Sequence, residues 1–130
     1  MKRCYDCKKV KALSEFTNHA GRKDGKQTHC KSCAKAHQTK WYYKRKYGIT
    51  LEERDALLAN QNGLCKICRS DTEFAPVGAG RMNNTDTFAV VDHCHTTNKI
   101  RGILCGKCNT GLGAFRDSED ALLNAIQYLK

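Results

Sequence analysis

Apolar positions recur along this chain at two different periods, and each period predicts an element. In TLEERDALLANQNG, from Thr50 to Gly63, Leu51, Leu57 and Leu58 fall on one face of a helix. Thr50 stands as its N-cap with Glu53 three residues on, a capping box, and Gly63 ends it. RDSEDALLNAIQYLK at the other end of the chain predicts an amphipathic helix. Asp117 or Ser118 would cap it, and Leu122, Leu123, Ile126 and Leu129 would face inward. Between the two lies TFAVVDH, Thr87 to His93, rich in β-formers. CHTTNK follows as a turn, IRGILC returns as a second strand, and a helix is predicted from Cys105 towards Phe115. A further helix is predicted over AKAHQTKWYYKRKYG, Ala34 to Gly48, which has no breaker before its glycine. It pairs Lys40 with Lys44, Trp41 with Arg45 and Tyr43 with Tyr47 at helical spacing. The remaining stretches lack a period. HAGRKDGKQTHC is a Gly-rich polar hairpin or loop, and residues 70–86, with the single proline, form another loop. No repeat beyond the cysteine knuckles is expected.

Length and charge sharpen this picture. A chain of 130 residues makes one ordinary domain or two very small ones. The formal net charge is +10, and it is uneven: residues 1–49 carry 14 basic and 3 acidic side chains, against 9 and 10 in residues 50–130. Two modules are therefore expected, a basic one over 1–49 and a nearly neutral one over 50–130. The basic excess points to a polyanion, and nucleic acid is the commonest, although a solvated basic surface gives the same composition. Basic residues alternating with aromatics in the first predicted helix single out Lys40, Trp41, Lys44, Arg45 and Lys46 as a backbone-tracking DNA surface. Some of those rings would also pack on their own module, at least one of them buried. No apolar run approaches a membrane span and no signal-peptide pattern opens the chain. A cytoplasmic setting with reduced thiols is expected, or the host cytoplasm if a phage encodes the protein.

The 9 cysteines are then metal ligands before they are disulfides. Eight fall into four C-x-x-C pairs, and each pair offers two corners of a zinc tetrahedron. Sequential pairing predicts two structural zinc sites. One is Cys4, Cys7, Cys30 and Cys33; the other is Cys65, Cys68, Cys105 and Cys108. A crossed pairing would need closure across the whole chain. Halves this small need such staples, because neither can bury much apolar surface.

The stretch VDHCHTTNKIRGILCGKCN, Val91 to Asn109, holds other chemistry as well. Asp92 and Asn109 supply oxygen ligands for a hard divalent ion with open positions for water and phosphate. His93 suits a general base, and His95 can orient a phosphate or share that role. Arg101 has the fork that fits a phosphate, though a surface ion pair is an equal reading. The D-H-x-H cluster could instead ligate zinc itself. Cys94 reads as a small packed residue before a nucleophile.

CKIC…VDHCHTTNKIRGILCGKCNTGLG closely resembles the recombination endonuclease VII family of phage nucleases, a branch of the His-Me finger (HNH-like) superfamily. YGITLEERDALLANQNGLCKIC resembles the stretch that precedes it there, so the likeness spans about residues 47–116. It implies a ββα-metal finger stapled by zinc on Cys65, Cys68, Cys105 and Cys108. It also implies a magnesium site for cutting DNA at Asp92, His93, His95 and Asn109. Two positions depart from the family pattern: Cys94 stands where an acidic residue often separates the histidines, and Leu112 where some members have another. The N-terminal knuckles and basic helix resemble those ahead of other phage nuclease modules.

The fold expected is a small α+β protein stapled by two structural zinc ions. In it a ββα-metal finger follows an N-terminal knuckle module and basic helix. The activity expected is metal-dependent hydrolysis of DNA, nicking or cutting both strands, guided by structure more than by sequence. Its partner is duplex or branched DNA, with no membrane. Junction resolution stays open but is not assumed, since only a short tail follows the match, and a homodimer is compatible with everything above. The competing class is a non-catalytic, zinc-dependent nucleic-acid-binding regulatory protein in which the DHCH segment is structural. RNA is a third option, since charge does not separate the polymers.

Overall fold

A computed structural model describes residues 1–77 and 88–130; the predicted loop after Val77 and the start of the predicted strand at Thr87 lie partly outside them. Met1–Thr50 belong to one compact unit, and Leu51–Ala75 with residues 88–130 belong to another. No helix of the described residues is long and apolar enough to cross a membrane.

In the N-terminal unit, β1 (Lys2–Arg3) and β2 (Val10–Lys11) pair antiparallel on either side of the Cys4–Cys7 turn. A 3-10 turn at Leu13–Glu15 leads into β3 (Phe16–Asn18), which pairs with β4 (Lys26–Cys30) and places Phe16 opposite Cys30. Helix α1 follows over Lys31–Tyr47 and stops at Gly48, whose φ of 70° lies in the left-handed region that glycine enters most readily. The helix thus starts earlier than the apolar pattern predicts, because Cys30 itself is the N-cap. Cys4, Phe16 and Cys30 form the buried cluster, with Cys7 and Cys33 packed against it. One phenylalanine and four thiols are a thin core, so sulfur is where the stability of this unit must come from.

The second unit begins with α2 (Leu51–Asn60). Leu51 is buried on it, and so is Arg54, whose guanidinium lies 4.1 Å over the Phe74 ring and bonds Asp55 at 2.8 Å. The helix unwinds at Gly63, where φ is 72° and the N–H donates to the Leu58 carbonyl at 3.0 Å. After the Cys65–Cys68 turn, β5 (Ala89–His93) and β6 (Ile100–Cys105) form an antiparallel hairpin. Helix α3 (Gly106–Ala114) packs against both strands, and α4 (Glu119–Leu129) ends the chain, capped by the Ser118 hydroxyl. Ala89, Val91, Ile103 and Leu104 are the buried apolar positions of the hairpin. The free edge of β6 is satisfied by side chains: the Gln61 amide bonds both Ile103 N–H and Ile103 carbonyl at 2.9 Å. Gly102 makes that approach possible, since a Cβ there would stand 2.7 Å from the Lys66 side chain.

Three expectations are corrected. The C-terminal helix does not bury its apolar stripe: Leu122 is half-buried, whereas Leu123, Ile126 and Leu129 are exposed. None of the α1 rings is buried, Trp41 and Tyr42 being exposed and Tyr43 and Tyr47 half-buried. And a repeat does exist beyond the knuckles. Each unit runs C-x-x-C turn, antiparallel hairpin, then a helix that opens on the second C-x-x-C. Cys30 and Cys105 occupy the same N-cap conformation, with φ of −69° and −70°. The two loops that close the knuckles match as well, through Cys4 N–H to the Lys9 carbonyl and Cys65 N–H to the Ser70 carbonyl, both 2.9 Å. Sequence similarity between the units is confined to the cysteines, which is why the repeat is visible only in the backbone.

Candidate active site

Each C-x-x-C pair is shaped locally before it meets its partner. After the second cysteine of the turn the chain must reverse, and Lys8 and Arg69 do so with φ of 59° and 63°. The other pair sits at a helix start, where Cys105 sulfur accepts the Cys108 N–H at 3.5 Å. Packing then gathers Cys4, Cys7, Cys30 and Cys33 into one group and Cys65, Cys68, Cys105 and Cys108 into another. All ligand atoms within each group lie within 4.8 Å of one another. The crossed pairing is excluded by this geometry. Each group could hold a metal ion, and the chemistry of the sulfurs fits one. The Cys33 thiol is pushed up to about 12, first by its bond to the Cys30 sulfur and then by desolvation. The Cys108 thiol reaches about 12 through burial and the crowding sulfurs of its group. Four thiols this close resist ionising together unless a cation is among them.

The second group clamps α3 onto the hairpin, and the hairpin carries the candidate chemistry. Asp92 and His93 end β5, at the turn end of the hairpin. Asp92 is 7% exposed, one of few buried acids or bases among the described residues. The register slips beside it: Asp92 pairs with Gly102, while His93 pairs with Ile100, leaving Arg101 as an extra residue on β6. That bulge aims Arg101 back across the hairpin. Its Nε and Nη2 donate to both Asp92 oxygens at 2.7 and 3.0 Å, and Nη2 also reaches Asp117 at 3.3 Å. The paired carboxylates raise the Arg101 pKa further, so it stays charged. Arg101 is thus an ion-pair residue before it is a phosphate contact. A cleft of about 270 Å³ opens beside the fork, lined by Lys66, Ile67, Asp92, Arg101, Leu104 and Leu112 among others.

His93, at the end of β5, and His95, at the start of the turn, have ring centroids 4.9 Å apart, His95 exposed and His93 half-buried. Asn109 lies in the first turn of α3, half-buried, on the helix that packs against β5. The Asp92 carboxylate and the Asn109 amide oxygen are donors of the type a hard divalent cation takes, and Arg101 occupies both Asp92 oxygens. Cys94 has a structural account. Its N–H bonds the Lys99 carbonyl at 2.8 Å, Asn98 N–H returns to the Cys94 carbonyl at 2.7 Å, and Asn98 turns with φ of 59°. This is the knuckle turn again, with Thr97 where a second cysteine would stand. The Thr97 hydroxyl and the Thr97 and Thr96 N–H groups bring the Cys94 thiol down to about 7.

In the N-terminal unit, Lys40, Lys44, Arg45 and Lys46 are exposed on α1. Arg45 stacks 4.8 Å over the Trp41 ring, and Lys46 bonds the Tyr42 hydroxyl at 3.0 Å. Lys66 and Asp117 were not expected at the hairpin. No local pattern marks them; a loop lysine and a pre-helix aspartate are common anywhere.

The arrangement defines a class: a ββα finger in which a four-sulfur group fixes the helix and the turn end of the hairpin displays acid and imidazole. This chain belongs to the recombination endonuclease VII family, which it matches over residues 40–130. It is 40% identical over 85 residues to the Gene 59 protein of Mycobacterium phage D29, covering 65% of this chain and 45% of the relative. It is 37% identical over 84 residues to the Gene 59 protein of Mycobacterium phage L5, covering 64% and 44%. The chain therefore spans less than half the length of these relatives. Among solved structures it is similar to the ββα-Me type II restriction endonuclease Hpy99I, at a TM-score of 0.41 and 26% identity, over 98% of this chain and 64% of that one.

Proposed function

We propose that this chain is a DNA endonuclease whose phosphodiester chemistry takes place at the turn end of the β5–β6 hairpin. The observation that carries this reading is buried Asp92, half-buried His93 and exposed His95 at the turn end of the hairpin, with Asn109 on the helix packed against that hairpin, in a member of this family. Zinc is the ion that suits both four-cysteine groups, as a structural staple with no open position. A magnesium or manganese ion held by Asp92 and Asn109 would supply charge stabilisation at the phosphate and the leaving oxygen. The remaining work belongs to protein groups. His93 takes the proton from the attacking water, and His95, on the exposed side, orients the phosphate. Arg101 leaves the Asp92 fork as phosphate arrives, since its guanidinium serves either anion. The exposed lysines and arginine of α1, with Trp41, track the DNA backbone without reading bases.

The purified protein, loaded with zinc and given magnesium or manganese, should nick supercoiled plasmid. His93→Ala should bind the same DNA and leave it intact. A zinc-loaded wild type that cuts no supercoiled, linear, branched or single-stranded DNA would end the enzyme reading. A panel of those forms with one RNA also settles substrate preference. One observation favours the non-catalytic alternative: both Asp92 oxygens are engaged by Arg101, as a purely structural carboxylate would be. On that reading Asp92→Ala lowers the melting temperature instead of selectively removing cleavage.

A further inference from the structure

The repeat of knuckle, hairpin and helix allows the two units to be compared position by position. Two residues after the first cysteine stand Asp6 and Ile67. Just before the N-cap cysteine stand His29 and Leu104. Four residues after the last cysteine stand His37 and Leu112. In the second unit the three positions are aliphatic and line one cleft. In the N-terminal unit the same three positions hold a carboxylate and two imidazoles. Their side chains converge: Asp6 Oδ2 lies 2.7 Å from His29 Nδ1 and 2.7 Å from His37 Nε2. All three ligand atoms lie within 4.8 Å of one another. The imidazoles also line a cavity of about 340 Å³ with Thr17, Gln27 and Ala34.

We infer that Asp6, His29 and His37 form a third metal site, separate from both four-cysteine groups, which takes a borderline divalent cation of the zinc type. Three separate elements each contribute one donor: the first knuckle, the end of β4 and the second turn of α1. Two imidazoles and one carboxylate suit zinc and its d-block neighbours better than magnesium, which prefers oxygen alone. Ligands held at about 2.1 Å around a tetrahedral ion stand about 3.4 Å apart. The carboxylate therefore needs only a small rotation away from its present hydrogen bonds. Each ring then carries its proton on the other nitrogen, and the facing lone pairs are free to bind. The four-cysteine groups close their ions off with four protein ligands. This trio has three, and side-chain exposures of 36% for His29 and 57% for His37 leave the fourth direction to water or a phosphate oxygen.

The structural alternative is a hydrogen-bonded clamp that ties the knuckle to α1 without any ion. His37→Gln separates the two, because the glutamine amide keeps a donor for Asp6 but removes an imidazole ligand. The full chain is first loaded to two zinc equivalents, checked by elemental analysis. It is then titrated with further zinc and with cobalt, following heat and the histidine side-chain nitrogen resonances. The wild type should bind one more equivalent at least tenfold tighter than His37→Gln or Asp6→Asn. The cobalt complex at this site should lack the intense thiolate charge-transfer band of the cysteine groups. Circular dichroism of the two-zinc proteins confirms that both variants are folded. Identical isotherms for wild type and both folded variants would overturn the proposal, as would a third equivalent that shifts neither His29 nor His37.

Discussion

If Asp92 holds a divalent cation as proposed, Arg101→Ala should tighten its binding, although it deletes a residue of the candidate site. The guanidinium holds both Asp92 oxygens at 2.7 and 3.0 Å. A cation must break at least one of those bonds before it can use the carboxylate. The worth of the pair sets the size of the effect. Asp92 has a side chain 9% exposed and Arg101 one 39% exposed, so the pair lies between two measured limits. An exposed pair contributes about 0–1 kcal/mol, whereas breaking a fully buried one costs about 3–5 kcal/mol. About 1–2 kcal/mol is reasonable here, which is roughly a 5- to 30-fold change in affinity. Manganese binding would be measured directly in a His93→Ala background, so that turnover does not interfere. Lys66→Met is the control, since Lys66 borders the same cleft but bonds only the Arg101 carbonyl. Unchanged or weaker manganese binding in Arg101→Ala refutes the competition. An equal gain in Lys66→Met refutes it too, by reducing the effect to general charge.

Ile103→Ala should cost about 2–5 kcal/mol, because its side chain is wholly buried and its removal leaves a cavity in the hairpin core. Denaturant unfolding followed by circular dichroism reads this; Trp41 fluorescence would not, as that ring belongs to the other unit. Removing the metal with a strong chelator, or Cys65→Ser, should abolish the cooperative melt of the second unit, and a melt indifferent to chelation would show the sulfurs are not a staple. Cys94 should alkylate with a midpoint near pH 7, well below the ordinary 9.0, because the Thr97 hydroxyl and two turn N–H groups favour its thiolate. The folded pKa is the lower one, so this contribution is complete above the unfolded value and is lost as pH falls through about 7. The melting-temperature gap between wild type and Cys94→Ser should therefore widen from pH 7 to pH 9; a constant gap counts against the thiolate.

Much of this protein is legible in one dimension because its strongest signals are local. C-x-x-C spacing fixes a turn that carries two sulfurs, and alternation or helical period places β5, β6 and α3 within a residue or two. Asp92, His93, His95 and Asn109 are conspicuous by chemical type alone. Features that rest on long-range register are not legible. The bulge that leaves Arg101 facing Asp92 depends on how two strands align, and no residue in IRGILC announces it. The terminal helix shows the same limit from the other side: its apolar period is real, but period alone does not say whether a partner surface lies against it, and Leu123, Ile126 and Leu129 are exposed. The convergence of Asp6, His29 and His37 is the clearest case. These residues are separated by 23 and 8 positions and share no motif; only the closing of the first sulfur group brings their ligand atoms together. Sequence determined which atoms could do chemistry, because donor type is a property of single residues. Tertiary structure decided which of them meet, because distance in space is set by packing.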